Sequence, residues 1–338
     1  MGRPGAGRRP VIVSLVVMML LALSASCGAP GPPSTTAPTG ATGSTGAMGV
    51  TGAEIAGTQA VGDLAFLGPA RRLAVNGIDV AYRQFGQGPP LVLIVGQDST
   101  MSYWGPDLLR ALAQHDQVTI FDNRGVGLSS DRPDEALTIE TMSDDTAALI
   151  EALGLDHPEV FGWSTGGEIA LALAVRHPGQ VGRLAVSGAT SGGPDTVPAT
   201  PELEAALRST DPADEVKLLD ALFTPSGAAA RQRYIDGLLT MPAETVSPEI
   251  SRRQAEAETA FAATTAVADG LGGVDLPTLV TNGADDHLVP AANARTIAAH
   301  VPGSTLVLVA DGAHAWMLQY IDRFVAMLVA FGNGQAVS

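Results

Sequence analysis

The feature that most constrains the fold of this 338-residue chain is the hexapeptide Gly-Trp-Ser-Thr-Gly-Gly at residues 162–167. It follows the short run 158–161 and begins a helical pattern, so a strand is predicted to turn sharply into a helix at Ser164. Gly162 and Gly166 have no Cβ atom, which lets the strand and the helix approach closely. The turn also directs the first helical N–H groups towards whatever binds at the serine oxygen. The pattern therefore predicts one exposed, strained serine at the end of a strand.

Short apolar runs alternate with helical periodicity from about residue 61 onwards. Because the runs are continuously apolar, the strands are expected to be buried on both faces. Their alternation with helices predicts an α/β fold with a mostly parallel sheet covered by helices on both faces. An antiparallel hairpin is expected over 71–85, turning at Asn76-Gly77. The predicted strands are 91–95, 117–121, one ending at 160–161, 184–187, 279–281 and 305–309, and the predicted helices include 139–153, 165–177 and 291–300.

The alternation of strands and helices stops between residues 191 and 275. No strand-like run interrupts this segment, and Pro and Gly separate its helical patterns. We interpret it as a helical cap inserted between two sheet strands, which divides the core into 61–190 and 276–338. The helices predicted for the cap are 201–209, 212–223, 227–240 and 248–269.

The N-terminal 27 residues have the pattern of an export signal. Arg3, Arg8 and Arg9 are followed by an apolar stretch over 11–25, which is short for a membrane-spanning helix. Cys27, the only cysteine of the chain, comes directly after. The segment resembles the lipobox of bacterial lipoproteins, in which the cysteine is acylated, although the usual leucine lies one position early. The resemblance implies a lipid-anchored, extracytoplasmic protein; the alternatives are a secreted protein with an ordinary signal and an uncleaved anchor.

Residues 28–60 are rich in Gly, Ala, Pro, Ser and Thr, and Glu54 is their only charged residue. This composition predicts a flexible linker spanning roughly 30 Å. The whole chain has a formal charge of −16. So acidic a chain is not expected to bind nucleic acid, or to bind anionic lipid except through an attached anchor. The sequence gives no indication of the oligomeric state.

A serine hydroxyl needs a base to become a nucleophile, and the base needs an orienting acid. Of the six histidines, His314 stands out because it follows the predicted strand 304–310 and precedes the last helix. The acid candidates Asp285 and Asp286 follow the predicted strand 278–282 in the same way. The other histidines lie at element ends or in loops, and we interpret them as structural or surface residues: His115, His157, His177, His287 and His300.

Residues 71–332 resemble the α/β-hydrolase fold family, in the branch that carries a helical cap. The loop 121–129 is similar to the family's Asp-x-Arg-Gly-x-Gly-x-Ser loop, and the hexapeptide 162–167 matches its nucleophile elbow. Gly283-x-x-Asp286 matches the family's acid turn and selects Asp286 over Asp285. The resemblance implies a triad of Ser164, Asp286 and His314, in which Ser164 forms a covalent acyl-enzyme.

The segment before the predicted oxyanion loop departs from the family pattern. Where relatives often have His-Gly, this chain has Val95-Gly96-Gln97-Asp98. The resemblance still implies an oxyanion hole made by the backbone N–H groups of Gln97 and Thr165. The polar side chains of Gln97 and Asp98 are expected either to bias substrate choice or to weaken the hole.

These observations predict a serine hydrolase that cleaves a small carboxylic ester or a related acyl compound. The alternatives are a peptidase of the proline-iminopeptidase kind, a carbon–carbon bond hydrolase, a cofactor-free haloperoxidase-like enzyme and a non-catalytic, ligand-binding lipoprotein. The serine excludes relatives that use an aspartate nucleophile. Neither metal-ligand spacing nor a phosphate-binding loop is present in the sequence, so no metal and no cofactor are expected. Asp122 and Arg124 are interpreted as residues that brace loops.

Overall fold

The computed structural model describes residues 51–207, 209 and 211–337, which form a sheet of nine strands with helices on both faces. The strand order is β1-β2-β3-β5-β4-β6-β7-β8-β9. The predicted α/β fold with a mostly parallel, doubly covered sheet is confirmed. The strands are β1 Ala53–Glu54, β2 Arg71–Val75, β3 Ile78–Phe85, β4 Pro90–Ile94, β5 Gln117–Phe121, β6 Glu159–Trp163, β7 Arg183–Ser187, β8 Thr278–Gly283 and β9 Thr305–Val309.

Strands β4 to β9 pair in parallel, whereas β1, β2 and β3 pair in antiparallel fashion at one edge of the sheet. The β2–β3 hairpin turns at Asn76 and Gly77, both of which have positive φ, at 47° and 77°. Two central residues with positive φ give the turn type that matches the twist of a hairpin. This is the turn that the Asn-Gly pair predicts.

Alternate residues of the central strands pack on opposite faces of the sheet. In β4, Val92 and Ile94 belong to one apolar cluster, while Leu91 and Leu93 belong to the other. Both faces are therefore buried, which is why the strands are continuously apolar. The helices of the first face are α2 Ile139–Ala152, α3 Thr165–Arg176 and α9 Ala291–His300, and those of the second are α1 Pro106–Leu112, α10 Trp316–Gln319 and α11 Ile321–Gly332.

The segment between β7 and β8 is helical, as the sequence predicts for a cap. One difference is that the helix predicted over 248–269 is broken at Ala263–Thr265. Another is that α6 is preceded by a short 3₁₀ turn, Pro225–Gly227. The cap helices are α4 Pro201–Leu207, α5 Pro212–Ala221, α6 Ala228–Leu238, α7 Pro248–Ala262 and α8 Ala266–Gly270.

The predicted boundary between the linker and the core needs a correction. The linker was expected to extend to residue 60, but Ala53–Glu54 pairs with β2 and the N–H of Ile55 donates to the carbonyl of Ala70 over 2.8 Å. The packed chain therefore includes at least residues 53–60. An edge strand of two residues is held by backbone hydrogen bonds, which leave no signal in composition.

The predicted signal segment, Cys27 and the linker residues 28–50 lie outside the described residues. Among the residues that the structure describes, none of the helices combines the length and the apolar composition that crossing a bilayer requires.

Candidate active site

Ser164 lies at the junction between β6 and α3, with φ 60° and ψ −130°. This conformation is strained for a residue with a side chain and holds the serine at the tip of a sharp turn. The turn is possible because the neighbouring backbones are in contact. A Cβ atom on Gly162 would lie 2.2 Å from the carbonyl oxygen of Gly166, and one on Gly166 would lie 2.0 Å from that of Ile94. Glycine is therefore required at both positions.

His314 and Asp286 form a buried hydrogen-bonded pair at the same edge of the sheet. His314 Nδ1 lies 2.8 Å from Asp286 Oδ2, and the two residues are 2% and 3% exposed. Asp286 Oδ1 accepts the backbone N–H groups of Leu288 and Val289 over 2.9 and 2.8 Å. Both carboxylate oxygens are thus held in place, and a carboxylate in this position requires a proton on Nδ1. The neighbouring Asp285 is exposed.

The imidazole ring of His314 is also fixed from its other sides. The indole N–H of Trp163 donates to the His314 carbonyl over 2.9 Å, and the two rings lie 5.6 Å apart. A Cβ atom on Gly188 would lie 2.7 Å from the ring. These contacts leave Nε2 as the ring atom that can take or give a proton.

The structure places Ser164 and His314 on the wall of one cavity of about 430 Å³ between the core and the cap. Within the described ranges, the Ser164 hydroxyl forms no hydrogen bond with a protein group. Hydrogen bonds to a catalytic base are often long before substrate binds and tighten afterwards. Apolar side chains of the cap, including Leu219, Leu222 and Leu238, also line this cavity.

The residues expected at the oxyanion hole are adjacent, but one predicted donor is already occupied. The backbone N–H of Gln97 donates to Thr165 Oγ1 over 3.2 Å. The Thr165 hydroxyl in turn donates to the carboxylate of Glu258 on cap helix α7. The next residue, Asp98, has its backbone N–H bound to Gln254 Oε1 of the same helix over 3.0 Å. The oxyanion loop is therefore tied to the cap.

Glu258 and Glu168 are buried carboxyls that the sequence analysis did not single out. Burial raises the pKa of Glu258, the hydrogen bond from Thr165 opposes this, and the charge of Asp98 raises the pKa further. Burial and the charge of Glu258 hold the pKa of Glu168 well above its usual range. Glu168 comes four residues after Ser164, about one helical turn further along. This spacing could have indicated from the sequence that the two residues lie on the same side of the helix. Glu258 reaches the site only through the packing of the cap, so no sequence motif marks it.

The loop residues Asp122 and Arg124 brace the structure, as interpreted from the sequence. Asp122 is fully buried and accepts the backbone N–H groups of Met101 and Leu128. Arg124 makes two hydrogen bonds of 2.8 Å to Asp145 of α2. In the part of the chain that the structure describes, no group of three or more His, Cys, Asp or Glu side chains is arranged to hold a metal ion.

The sheet order, the strained serine after β6 and the inserted cap define a class of enzyme fold. A sequence profile described as "alpha/beta hydrolase fold" matches residues 89–319, and the chain belongs to this family. It is 28% identical over 274 residues to "Putative carbamate hydrolase RutD" of Caulobacter sp. (strain K31), a match that covers 77% of this chain and 98% of the relative.

Two further comparisons agree with this family. The human protein "Serine hydrolase BPHL" is 28% identical over 263 residues, covering 75% of this chain and 82% of that protein. Among solved structures, the esterase RhEst1 from Rhodococcus sp. ECU1013 superposes with a TM-score of 0.67 at 22% identity, over 79% of this chain and 99% of the esterase. At this identity the superposition supports the fold alone.

Proposed function

We propose that this protein is a serine hydrolase in which Ser164 attacks an acyl carbonyl. His314 Nε2 takes the proton of the serine hydroxyl, and Asp286 holds the imidazole in the tautomer with its proton on Nδ1. The leaving group departs with the proton from His314. Water, activated by the same nitrogen, then hydrolyses the acyl-enzyme and restores Ser164.

One observation carries the proposal: the buried contact of 2.8 Å between His314 Nδ1 and Asp286 Oδ2, on the wall of the cavity that Ser164 also lines. In an ordinary surface pair of histidine and aspartate, neither residue has to be buried, and the aspartate does not have to accept two backbone N–H groups as well. Here both are present, so the acid is held in one orientation against the imidazole. A histidine held in this way serves as a base rather than as a packing residue.

We propose the backbone N–H groups of Gln97 and Thr165 as the donors that stabilise the oxyanion. Because the Gln97 N–H donates to the Thr165 hydroxyl in the free protein, that hydroxyl must turn away as substrate binds. Donors of this kind act on charge that develops only in the transition state, where each contributes roughly 3–4 kcal/mol.

The proposed substrate is a small carboxylic ester. A cavity of about 430 Å³ holds a small acyl compound. The names of similar proteins cover a carbamate hydrolase, an esterase and a meta-cleavage product hydrolase, so the bond that is cleaved varies among them. The proposed triad is chemically compatible with each of these reactions, and substrate assays separate them.

The test uses the purified full chain and p-nitrophenyl esters from acetate to palmitate, with Ser164→Ala as the control. We expect hydrolysis of the short esters, and a loss of at least about 10³-fold in kcat/KM in the variant. The acyl-chain length of the ester with the highest kcat/KM indicates how long an acyl group the pocket accommodates. Absence of hydrolysis in the unmodified protein, or equal rates in the variant, would contradict the proposal.

We also propose that the chain is exported and anchored to the extracytoplasmic face of the cell membrane by a lipid on Cys27. Support for this comes from the sequence pattern of residues 1–27 alone. The alternative is a secreted protein whose signal is removed after a small residue.

A further inference from the structure

The cavity beside Ser164 is lined by several carboxylates. Asp98, Glu168, Glu204, Glu215 and Glu258 all contribute to its wall. Among the described lining residues there is no lysine or arginine, and His314 is the only basic side chain. A concave site lined by one sign of charge concentrates ligands of the opposite sign.

Two of these carboxylates, Glu168 and Glu258, are within electrostatic range of each other on the cavity wall that also includes Gln97 and Thr165. The Glu258 carboxylate accepts the Thr165 hydroxyl, and the Gln97 side-chain amide faces it at 2.6 Å in the orientation that satisfies both groups. Glu168 lies on α3, close enough to Glu258 for the charge of Glu258 to act on it, and its Oε1 accepts the Thr190 hydroxyl over 2.7 Å. The donors to this pair among the described residues are all neutral.

Carboxylate oxygens without a donor point independently to a site for a cationic ligand. Glu168 is 9% exposed, and its Oε2 has no hydrogen-bond partner among the described residues. Glu215, further along the cavity, is 4% exposed, and its Oε1 also has none. A buried carboxylate without a partner is costly, and two neighbouring ones repel each other. Burial raises the pKa of Glu168 and of Glu258 in the free site, and a cation bound between these two would favour the ionised form of both.

We propose that the substrate of this hydrolase carries a cationic amine within a few atoms of its scissile carbonyl, and that Glu168 and Glu258 bind that amine. The inference rests on the proposed function and adds the substrate class. The absence of a metal-binding arrangement among the described residues favours an organic ammonium group over a metal ion. Glu258 accepts a hydrogen bond from the Thr165 hydroxyl, and this hydroxyl accepts the Gln97 N–H. An amine bound at Glu258 would therefore lie beside the proposed oxyanion hole.

The test compares esters that differ only in charge, at pH 7, with the full chain. Ethyl alaninate and ethyl 2-methylpropanoate form one pair, with the charge on the acyl side. Acetylcholine and 3,3-dimethylbutyl acetate form the other, with the charge on the alcohol side. Each pair gives a ratio of kcat/KM, cationic over neutral. The variants are Glu258→Gln and Glu168→Gln, and Glu256→Gln is the control because it removes an exposed carboxylate from the same helix.

We expect Glu258→Gln and Glu168→Gln each to lower the ratio at least about tenfold in one of the pairs, because the negative charge that attracts the cation is lost. Glu256→Gln should leave both ratios unchanged. Ratios that change in neither pair would overturn the proposal, as would equal changes in Glu256→Gln. Because the ratio compares two substrates within one variant, a general folding defect does not alter it.

The neutral esters separate this inference from the proposed function. Suppose that the unmodified protein hydrolyses the neutral esters, Ser164→Ala does not, and the ratios do not change in the glutamate variants. The proposed hydrolase function is then supported and the proposed amine site is refuted. If neither cationic nor neutral esters are hydrolysed, the proposed function fails and the amine site fails with it.

Discussion

At the scale of single residues, Asp285 and Asp286 differ by one peptide unit and have opposite environments. Asp286 is 3% exposed and bonds His314, whereas Asp285 is exposed. The local sequence pattern after β8 did not distinguish the two as candidates for the catalytic acid. Only the resemblance to a family turn selected Asp286. The backbone gives the two residues different environments: Asp286 is buried, and the N–H groups of Leu288 and Val289 donate to its carboxylate.

Replacing Asp286 with Asn tests the role of the carboxylate at this scale. The amide keeps an oxygen for the two backbone donors but presents an NH₂ group to His314, which favours the wrong imidazole tautomer. We expect kcat on p-nitrophenyl esters to fall by about 10³–10⁴-fold with little change in folding. Asp285→Asn should leave kcat unchanged. Equal kcat in both variants would refute the assignment of the acid.

At the scale of elements, the sequence was most informative where a motif is local. The elbow at 162–167, the hairpin turn and the loop 121–129 each follow from the chemistry of a few consecutive residues. The cap was predicted as helical, but neither its break at Ala263–Thr265 nor the approach of Glu258 to Thr165 was. Both depend on how helices pack, which a single sequence does not contain. The short strand Ala53–Glu54 was missed because backbone pairing alone holds it.

The link between the loop 121–129 and helix α2 can be tested by removing Arg124. Its guanidinium is fully buried and bonds Asp145 twice. Arg124→Ala leaves Asp145 buried without its partner charge, so the free energy of unfolding should fall by about 3–5 kcal/mol in chemical denaturation.

The matched control for this test is Arg252→Ala on the exposed face of α7, where the arginine pairs with Glu249 and Glu256. An exposed pair of this kind contributes about 0–1 kcal/mol. Similar losses in the two variants would contradict a structural role for the buried pair.

At the scale of the whole molecule, several carboxyls are largely removed from solvent, and nearby charges, Arg83 for Asp122 and Arg183 for Glu159, offset this only in part. Burial raises the pKa of Asp122 to about 7 and that of Glu159 to about 8. In the unfolded chain such groups titrate near pH 4. Between about pH 5 and pH 8 the folded state therefore holds protons that the unfolded state has lost. The free energy of unfolding should fall as pH rises through this window.

Melting temperature as a function of pH checks this expectation. We expect a higher Tm at pH 5.5 than at pH 8, and a flatter dependence in Glu159→Gln, which cannot ionise. Carboxyls whose pKa is lowered by a partner, such as Asp144 beside Arg176, behave differently. Their contribution to the free energy of unfolding is lost only at pH values below this window. A Tm that rises between pH 5.5 and pH 8 would show that these groups are ionised in the folded state.

The position of the chain in the cell is a separate prediction at this scale. If Cys27 carries the lipid, the full chain expressed in a bacterium should fractionate with membranes, and Cys27→Ala should appear in the aqueous fraction. Cys27→Ser serves as a second variant of similar size. Retention of either variant on the membrane would contradict a lipid anchor at this residue.

The central claim is that Ser164 is a nucleophile activated by His314 and Asp286. The most direct measurement is the intact mass of the full chain after reaction with a fluorophosphonate, followed by peptide mapping. The account predicts a single adduct on Ser164, none in Ser164→Ala, and slower labelling in Asp286→Asn than in Asp285→Asn. No adduct on the unmodified chain, or an adduct on another residue, would contradict it.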